Sequence, residues 1–330
     1  MRILVGTKGG LYVVRWVHGE RSAQVEESHF EGDDVRAIVP AGARYYAAVS
    51  GHGLWRSDDK GRAWQQVASP LDGHVIRSLS VSPRDPDHLY AGTQPAALHA
   101  SRDGGRTFEE MREFRVLGVR EGWKDAGDGA ARVDAVDADP HDARRIYAGV
   151  EIGGAYRSDD GGLTWTGVNE GLYDDVHFLL ADPLDSSRVY AATGGGFHIS
   201  IDRGRKWTPH PSDLGQAYCT CLDVEFERGA RDSVLVLAVS GGPLATWEGS
   251  RGDAHARLLV SRDSGDTWEQ FKTGTMGEKG AFTALATDPT ARQSGFVGTS
   301  TGRLYYGNAG LGRWTKILYG LPRVQVLRVL

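Results

Sequence analysis

Cysteine is nearly absent: the 330 residues hold only two, Cys219 and Cys221. As i, i+2 neighbours on one strand they would share a face, and bridging them would strain that strand. A disulfide framework is therefore excluded, nothing nearby completes a metal or redox pair, and two buried free thiols are expected, which suits a reducing cytoplasm. No apolar run is long enough to span a bilayer, and the short apolar run from Met1 to Gly6 reads as a strand rather than a signal peptide. Charge of one sign is also scarce. The net charge is −5 with acids and bases interspersed, which argues against a nucleic-acid or anionic-membrane surface. A glycine-rich phosphate loop is missing, as is a Ser or Cys nucleophile in a recognisable turn.

What the chain does have is glycine, 45 residues, and a repeated phrase. Ser158-Asp159-Asp160-Gly161-Gly162-Leu163-Thr164-Trp165 reads S-x-D-x-G-x-T-W, and the pattern returns at 57–64, 101–108, 200–207 and 261–268. Each copy keeps Ser, Asp and Gly at offsets 0, 2 and 4 and an aromatic at offset 7. The phrase fits a tight hairpin turn: Ser and Asp fold back onto the turn's own N–H groups, and Gly supplies a positive φ. Asp59, Asp103, Asp160, Asp202 and Asp263 are thus read as structural staples, since a catalytic constellation should occur once. A second phrase alternates with the first: an apolar strand, Asp-Pro, a short loop, then a strand ending in Ala-Gly or similar, as in 133–140 followed by 146–149.

The S-x-D-x-G-x-T-W copies resemble the Asp-box, or bacterial neuraminidase repeat, of sialidases, sortilin-type receptors, xyloglucanases and photosystem II assembly factors. That resemblance implies a β-propeller with the box between the third and fourth strands of a blade. It implies no single function, because enzymes, receptors and scaffolds share the box.

Counting repeats gives six complete units, starting near Val35, Ile76, Val133, Val176, Cys219 and Phe282. The N-terminal segment supplies three further strands, and the C-terminal 324–330 supplies one. The expectation is therefore an all-β, seven-bladed β-propeller of four-stranded antiparallel blades, one domain over residues 1–330, with the C-terminal inner strand joining the N-terminal strands to close the ring. Insertions at roughly 112–131 and 241–257 would then decorate one face, where binding usually sits.

Aligned inner strands place Arg36, Arg77, Asp134, His177, Thr220, Thr283 and Gln325 second in each strand. Strand alternation demands one apolar face; it does not demand two Arg, an Asp and a His on the other. These residues are expected to converge at a channel mouth and bind a small polar ligand, anionic or sugar-like. The plainer alternative is a solvated mouth whose charges pair with each other. Glu151, between glycines, and Asp134 are the candidate acid and base; with His177 they would alternatively hold a divalent metal. Asp174 and Asp175 precede His177 and would orient it. Arg36 and Arg77 would hold an anion. His52, Tyr218 and the insertion residues Trp123 and Trp247 complete the ligand-binding set, the two indoles either stacking on a sugar or pinning their loops. A true sialidase is not expected, because the Arg-Ile-Pro phrase is lacking and only two ring positions are Arg. The readings left open are a glycoside hydrolase-like or lyase-type enzyme and a non-catalytic scaffold that binds a protein partner.

Overall fold

The computed structural model describes the chain except residues 68–70, 72–74, 124–129, 211–217, 226–233, 242–246, 249–251, 272–275, 292–293 and 309–312, and the side chains of 218–225, 234–237 and 239. The strands, in chain order, are β1 (Arg2–Thr7), β2 (Gly10–Arg15) and β3 (Gln24–His29), then β4 (Val35–Ala41), β5 (Arg44–Val49), β6 (Gly53–Ser57) and β7 (Gln65–Gln66). Next come β8 (Val75–Ser82), β9 (Asp85–Gln94), β10 (Leu98–Ser101) and β11 (Glu109–Glu110), the helix α1 (Arg112–Glu121), then β12 (Val133–Ala138), β13 (Ile146–Val150), β14 (Gly154–Ser158) and β15 (Thr166–Gly167). They continue as β16 (Val176–Ala181), β17 (Val189–Thr193), β18 (Gly196–Ser200) and β19 (Thr208–Pro209), and as β20 (Tyr218–Glu225), β21 (Val234–Ser240), β22 (Arg257–Ser261) and β23 (Glu269–Gln270). Last are β24 (Phe282–Thr287), β25 (Ser294–Thr299), β26 (Leu304–Asn308), β27 (Arg313–Leu318) and β28 (Val324–Val329). No described helix is long and apolar enough to cross a membrane.

These strands form four-stranded antiparallel sheets, the blades of a β-propeller. The chain divides into two compact units, one of residues 1–38 and 214–330, the other of 39–213. The first holds the sheets β28-β1-β2-β3, β20 to β23 and β24 to β27; the second holds β8 to β11, β12 to β15 and β16 to β19. This corrects the seven-bladed ring expected from the repeats. Six blades lie wholly inside one unit or the other, whereas the division at Ile38/Val39 falls inside β4, which heads the order β4-β5-β6-β7. Repeat counting registers sequence periodicity and is blind to where a chain separates into compact bodies.

Both recurring phrases have a physical role. In the 158–165 turn, Ser158 Oγ donates to Asp160 Oδ1 at 2.8 Å and accepts the Gly162 N–H at 2.8 Å. Asp160 in turn accepts the Thr164 N–H at 2.9 Å. Gly162 sits at φ 92°, so any other residue there would be strained. The same pattern recurs at Ser57, Ser101, Ser200 and Ser261. Such bonds favour the ionised carboxylate; the Thr107 amide foremost, burial opposing, holds Asp103 at about 2. In the Asp-Pro phrase, buried Asp139 and Asp182 accept backbone N–H groups two and three residues on, closing the loop back to the next strand.

The Ala-Gly ending of second strands marks a close approach between blades. A Cβ on Gly149 would lie 2.6 Å from Cγ1 of Val176, the first residue of the next inner strand, and one on Gly92 2.7 Å from Val133 Cγ1. Between blades lie apolar layers. In the second unit, Tyr90, Leu98, Phe114, Val133, Ile146 and Tyr156 form one layer. Tyr147, Val168, Val176, Leu179 and Trp207 form the next. In the first unit, the layer of Ile3, Val14, Trp16, Phe296, Tyr306 and Leu327 covers β28 and β1. At roughly 1.5–3 kcal/mol for each large side chain fully buried, these layers outweigh surface ion pairs worth at most about 1 kcal/mol each.

The first insertion folds as α1, with Phe114 and Leu117 buried and Gly122 ending the helix in the left-handed conformation. The insertion is thus helical over Arg112–Glu121, where the repeat spacing predicts a loop.

One half-buried carboxyl breaks the pattern of satisfied acids. Asp137 on β12 accepts the Ala181 N–H of β16 at 2.8 Å. Burial, opposed by that bond and aided by Asp139, pushes its carboxyl up to about 7. A folded-state value above the unfolded one means the native state holds the extra proton, so this group costs stability as pH rises from 4 through 7. Asp137→Asn keeps an acceptor for the Ala181 amide and removes the ionisation. The variant should match wild type near pH 4 to within about 1 kcal/mol and exceed it by about 4 kcal/mol at pH 8, measured by denaturant unfolding. A gap that stays constant with pH would refute this account.

Candidate active site

The register shows why polar residues occupy the second place of the inner strands. Ile76 pairs with Thr93 and Ser78 with Gly92, so Arg77 is skipped. Asp134 is skipped likewise between Val133 and Ala135, and His177 between Val176 and Phe178. The first unit repeats this at Thr220, Thr283 and Gln325. Each is the extra residue of a β-bulge, a device that takes a residue out of the ladder's alternation.

In the second unit these bulges bring charges together. Arg77 Nε donates to Asp134 Oδ1 at 2.8 Å, and Arg132 Nε donates to Asp134 Oδ2 at 3.2 Å. Arg132 Nε also contacts Glu151 Oε2. His177 Nε2 lies 3.2 Å from Asp175 Oδ1. A carboxylate oxygen of Glu151, one of Asp175 and a ring nitrogen of His177 all lie within 4.8 Å of one another. Two guanidinium groups thus share a site with three carboxylates. Asp175 is 7% exposed, and only 13% of the Glu151 side chain is accessible. Neither Glu151 Oε2 nor Asp175 Oδ1 receives a directed hydrogen bond, despite these ion contacts.

The backbone holds the cluster firmly. Glu151 N–H donates to the Arg132 carbonyl at 3.1 Å. Gly153 and Gly154 N–H both donate to the Asp174 carbonyl, and Gly194 N–H donates to that of Asp175. Between Glu151 and Gly153, Ile152 has a φ of 51°, a left-handed conformation that a β-branched residue rarely adopts. Strain of this sort concentrates where a neighbouring side chain must be held in place.

The structure thus brings Arg77, Asp134, Glu151 and His177 into one cluster. Arg77 is engaged with Asp134, and Asp134 is braced by two guanidinium groups. Arg36 lies in the first unit, where its Nη2 pairs with Asp34 Oδ2 at 2.6 Å and Gln325 contacts the same carboxylate. His52 sits on the exposed turn after β5, its carbonyl accepting from Gln66. The Trp123 ring packs 4.9 Å from Phe114 and 5.0 Å from Tyr156, and its Nε1 donates to the Tyr156 hydroxyl at 2.7 Å, so it pins its loop. Trp247 is half-buried, its carbonyl accepting the Ala281 N–H at 2.9 Å. The side chains of Tyr218, Cys219 and Cys221 fall outside the described residues. The second insertion borders a cavity of about 460 Å³ lined by residues including Asp253, His255, Arg257 and Glu278.

The residue that the sequence reading missed is Arg132. Its signal was available: two residues before a bulged Asp134, it occupies the place that Asp175 holds before His177 and Asp34 before Arg36.

Against known proteins, residues 153–301 match the model of the Sortilin-Vps10 family, described as sortilin, neurotensin receptor 3. The chain is 23% identical over 278 residues to the oligoxyloglucan-reducing end-specific xyloglucanase of Emericella nidulans, an alignment covering 76% of this chain and 33% of that one. It thus spans about a third of the length of that relative. Among solved structures it is similar to the GH74 enzyme of Niastella koreensis, with a TM-score of 0.68 at 16% identity over 96% of this chain and 47% of the other. It is also similar to YCF48 bound to D1 peptide, with a TM-score of 0.56 at 15% identity over 86% and 81% of the two chains. At such identities these likenesses establish the fold, and xyloglucanases recur among the relatives by sequence as well as by structure.

Proposed function

We propose that this chain acts on a carbohydrate, hydrolysing a glycosidic bond with the Glu151 and Asp175 carboxyl groups. The observation that carries the reading is their approach: two largely buried carboxylates from different blades, with oxygens within 4.8 Å, Glu151 facing Arg132 and Asp175 facing His177. Glycosidic hydrolysis divides its work between two such carboxyl groups, one handling the leaving-group proton and the other acting on the anomeric side. Arg132 balances charge on Glu151, suiting it to remain the carboxylate. Asp175, joined to His177, is the group placed to exchange a proton. Asp134 serves as the anchor that keeps Arg77 and Arg132 in place. The similarity to xyloglucanases supports an oligosaccharide as substrate.

The test is reducing-end release from a panel of xyloglucan and other β-glucan oligosaccharides by the purified chain. Turnover of at least one substrate that vanishes in Glu151→Gln and Asp175→Asn supports the reading. No turnover across the panel, with no glycan binding, overturns it.

A protein-binding scaffold is the second reading, favoured by exposed Val116 and Val119 on α1 and by the likeness to a propeller that binds a peptide. Capture of a peptide that is lost in Val116→Asp, with no sugar chemistry, would favour it.

A further inference from the structure

We infer that Glu151, Asp175 and His177 form a binding site for one divalent cation of the Zn²⁺ or Mn²⁺ type, and that its occupation shuts off the chemistry proposed for the two carboxyl groups. The second half rests on the hydrolase reading; the first does not.

The donor set is two carboxylate oxygens and one imidazole nitrogen, a mixture that suits divalent cations of intermediate softness and leaves coordination positions open. These donors already lie within 4.8 Å of one another. An ion held at about 2.1 Å from each would need them no more than about 4.2 Å apart, so the closure required is a fraction of an ångström.

A second, independent observation points into the same space. Asp175 is 7% exposed, and its Oδ1, like Glu151 Oε2, receives no directed hydrogen bond among the described residues. Each oxygen faces one basic group, Arg132 for Glu151 and His177 for Asp175, without accepting a directed hydrogen bond from it, so both keep acceptor capacity that a cation would satisfy. Charge agrees. Arg77 and Arg132 both bond Asp134, and only Arg132 reaches on to Glu151, so three carboxylates face two guanidinium groups. A divalent ion would reverse that excess, with Arg132 still held by Asp134.

The three donors also sit on fixed backbone. Glu151 is held by its N–H bond to Arg132, and Asp175 by the carbonyl bond from Gly194. His177 is a bulge residue whose neighbours Val176 and Phe178 remain in the ladder. Little ordering is left for the ion to impose.

The experiment is isothermal titration of the full chain with ZnCl₂ and, separately, MnCl₂, alongside anomalous diffraction from crystals soaked in each. One equivalent of at least one of the two ions should bind wild type. Removing an outer-shell partner of a metal typically costs 10- to 100-fold in affinity, so losing a direct ligand in His177→Ala or Asp175→Asn should cost at least about 100-fold. His29→Ala, on β3 in the other compact unit, should bind as wild type does. The anomalous peak should fall between the three donors. Wild type taking up neither ion, variants binding as tightly as wild type, or a peak elsewhere would each overturn the proposal. Should a variant fail to fold, the position of the peak in wild type still decides. If the ion binds while the metal-free protein turns over no sugar, the hydrolase reading falls and the cation site stands. If sugar is turned over and added ion does not slow it, the shut-off falls.

Discussion

Glu151→Gln is expected to lower the turnover of the responsive oligosaccharide by about a thousandfold while leaving the fold intact. Replacing a carboxyl group that transfers a proton or attacks the anomeric carbon removes an effect worth roughly 10²–10⁴ in rate. The amide has nearly the same shape, and the backbone bonds that fix residue 151 do not involve its side chain. Arg132 keeps its partner Asp134 at 3.2 Å, so no guanidinium group is stranded. The loss should therefore appear in kcat, with the unfolding midpoint close to that of wild type. Asp134→Asn should behave in the opposite way. It strips the shared anion from Arg77 and Arg132, whose side chains are only 14% and 24% exposed, and should cost about 3 kcal/mol of stability. A Glu151→Gln enzyme within tenfold of wild type would remove Glu151 from the chemistry.

The largest stability effect is expected at Gly302, in the turn between β25 and β26. Its φ is 72°, and an added Cβ would fall onto the carbonyl oxygen of Leu321. The backbone cannot yield easily, because the Gly302 carbonyl accepts the Leu321 N–H at 3.1 Å and its own N–H donates to Thr299. Gly302→Ala should cost about 4 kcal/mol: roughly 1–2 for the left-handed backbone and the rest for moving a packed segment. Gly51→Ala is the matched control. It has a similar φ of 77° with nothing within 4 Å, so only the backbone cost should appear, about 1 kcal/mol. Equal losses in the two variants, measured by denaturant unfolding, would show that the Leu321 contact is yielding.

Much of the local structure was legible because each phrase carries its own geometry. Ser158, Asp160 and Gly162 close a turn with bonds that span two to four residues, so sequence spacing alone specifies them. The two-unit division was not legible, since compaction depends on contacts between strands far apart in sequence. Arg77 and Asp134 were seen as members of one polar set, but their mutual bond was not, because they lie 57 residues apart and meet only through two bulges. The Trp123 contacts depend on α1, whose sequence shows weak amphipathicity and offered little to distinguish helix from loop.

The bulges at the inner strands separate what a position does for folding from what it can do for binding. Residues 76 and 78, 133 and 135, and 176 and 178 keep the ladder, while 77, 134 and 177 stand outside it. A duplicated blade can therefore swap Arg for Asp or His at that one socket without disturbing its neighbours. Divergence among copies of a single ancestral unit can in this way assemble a mixed chemical site from parts that began identical.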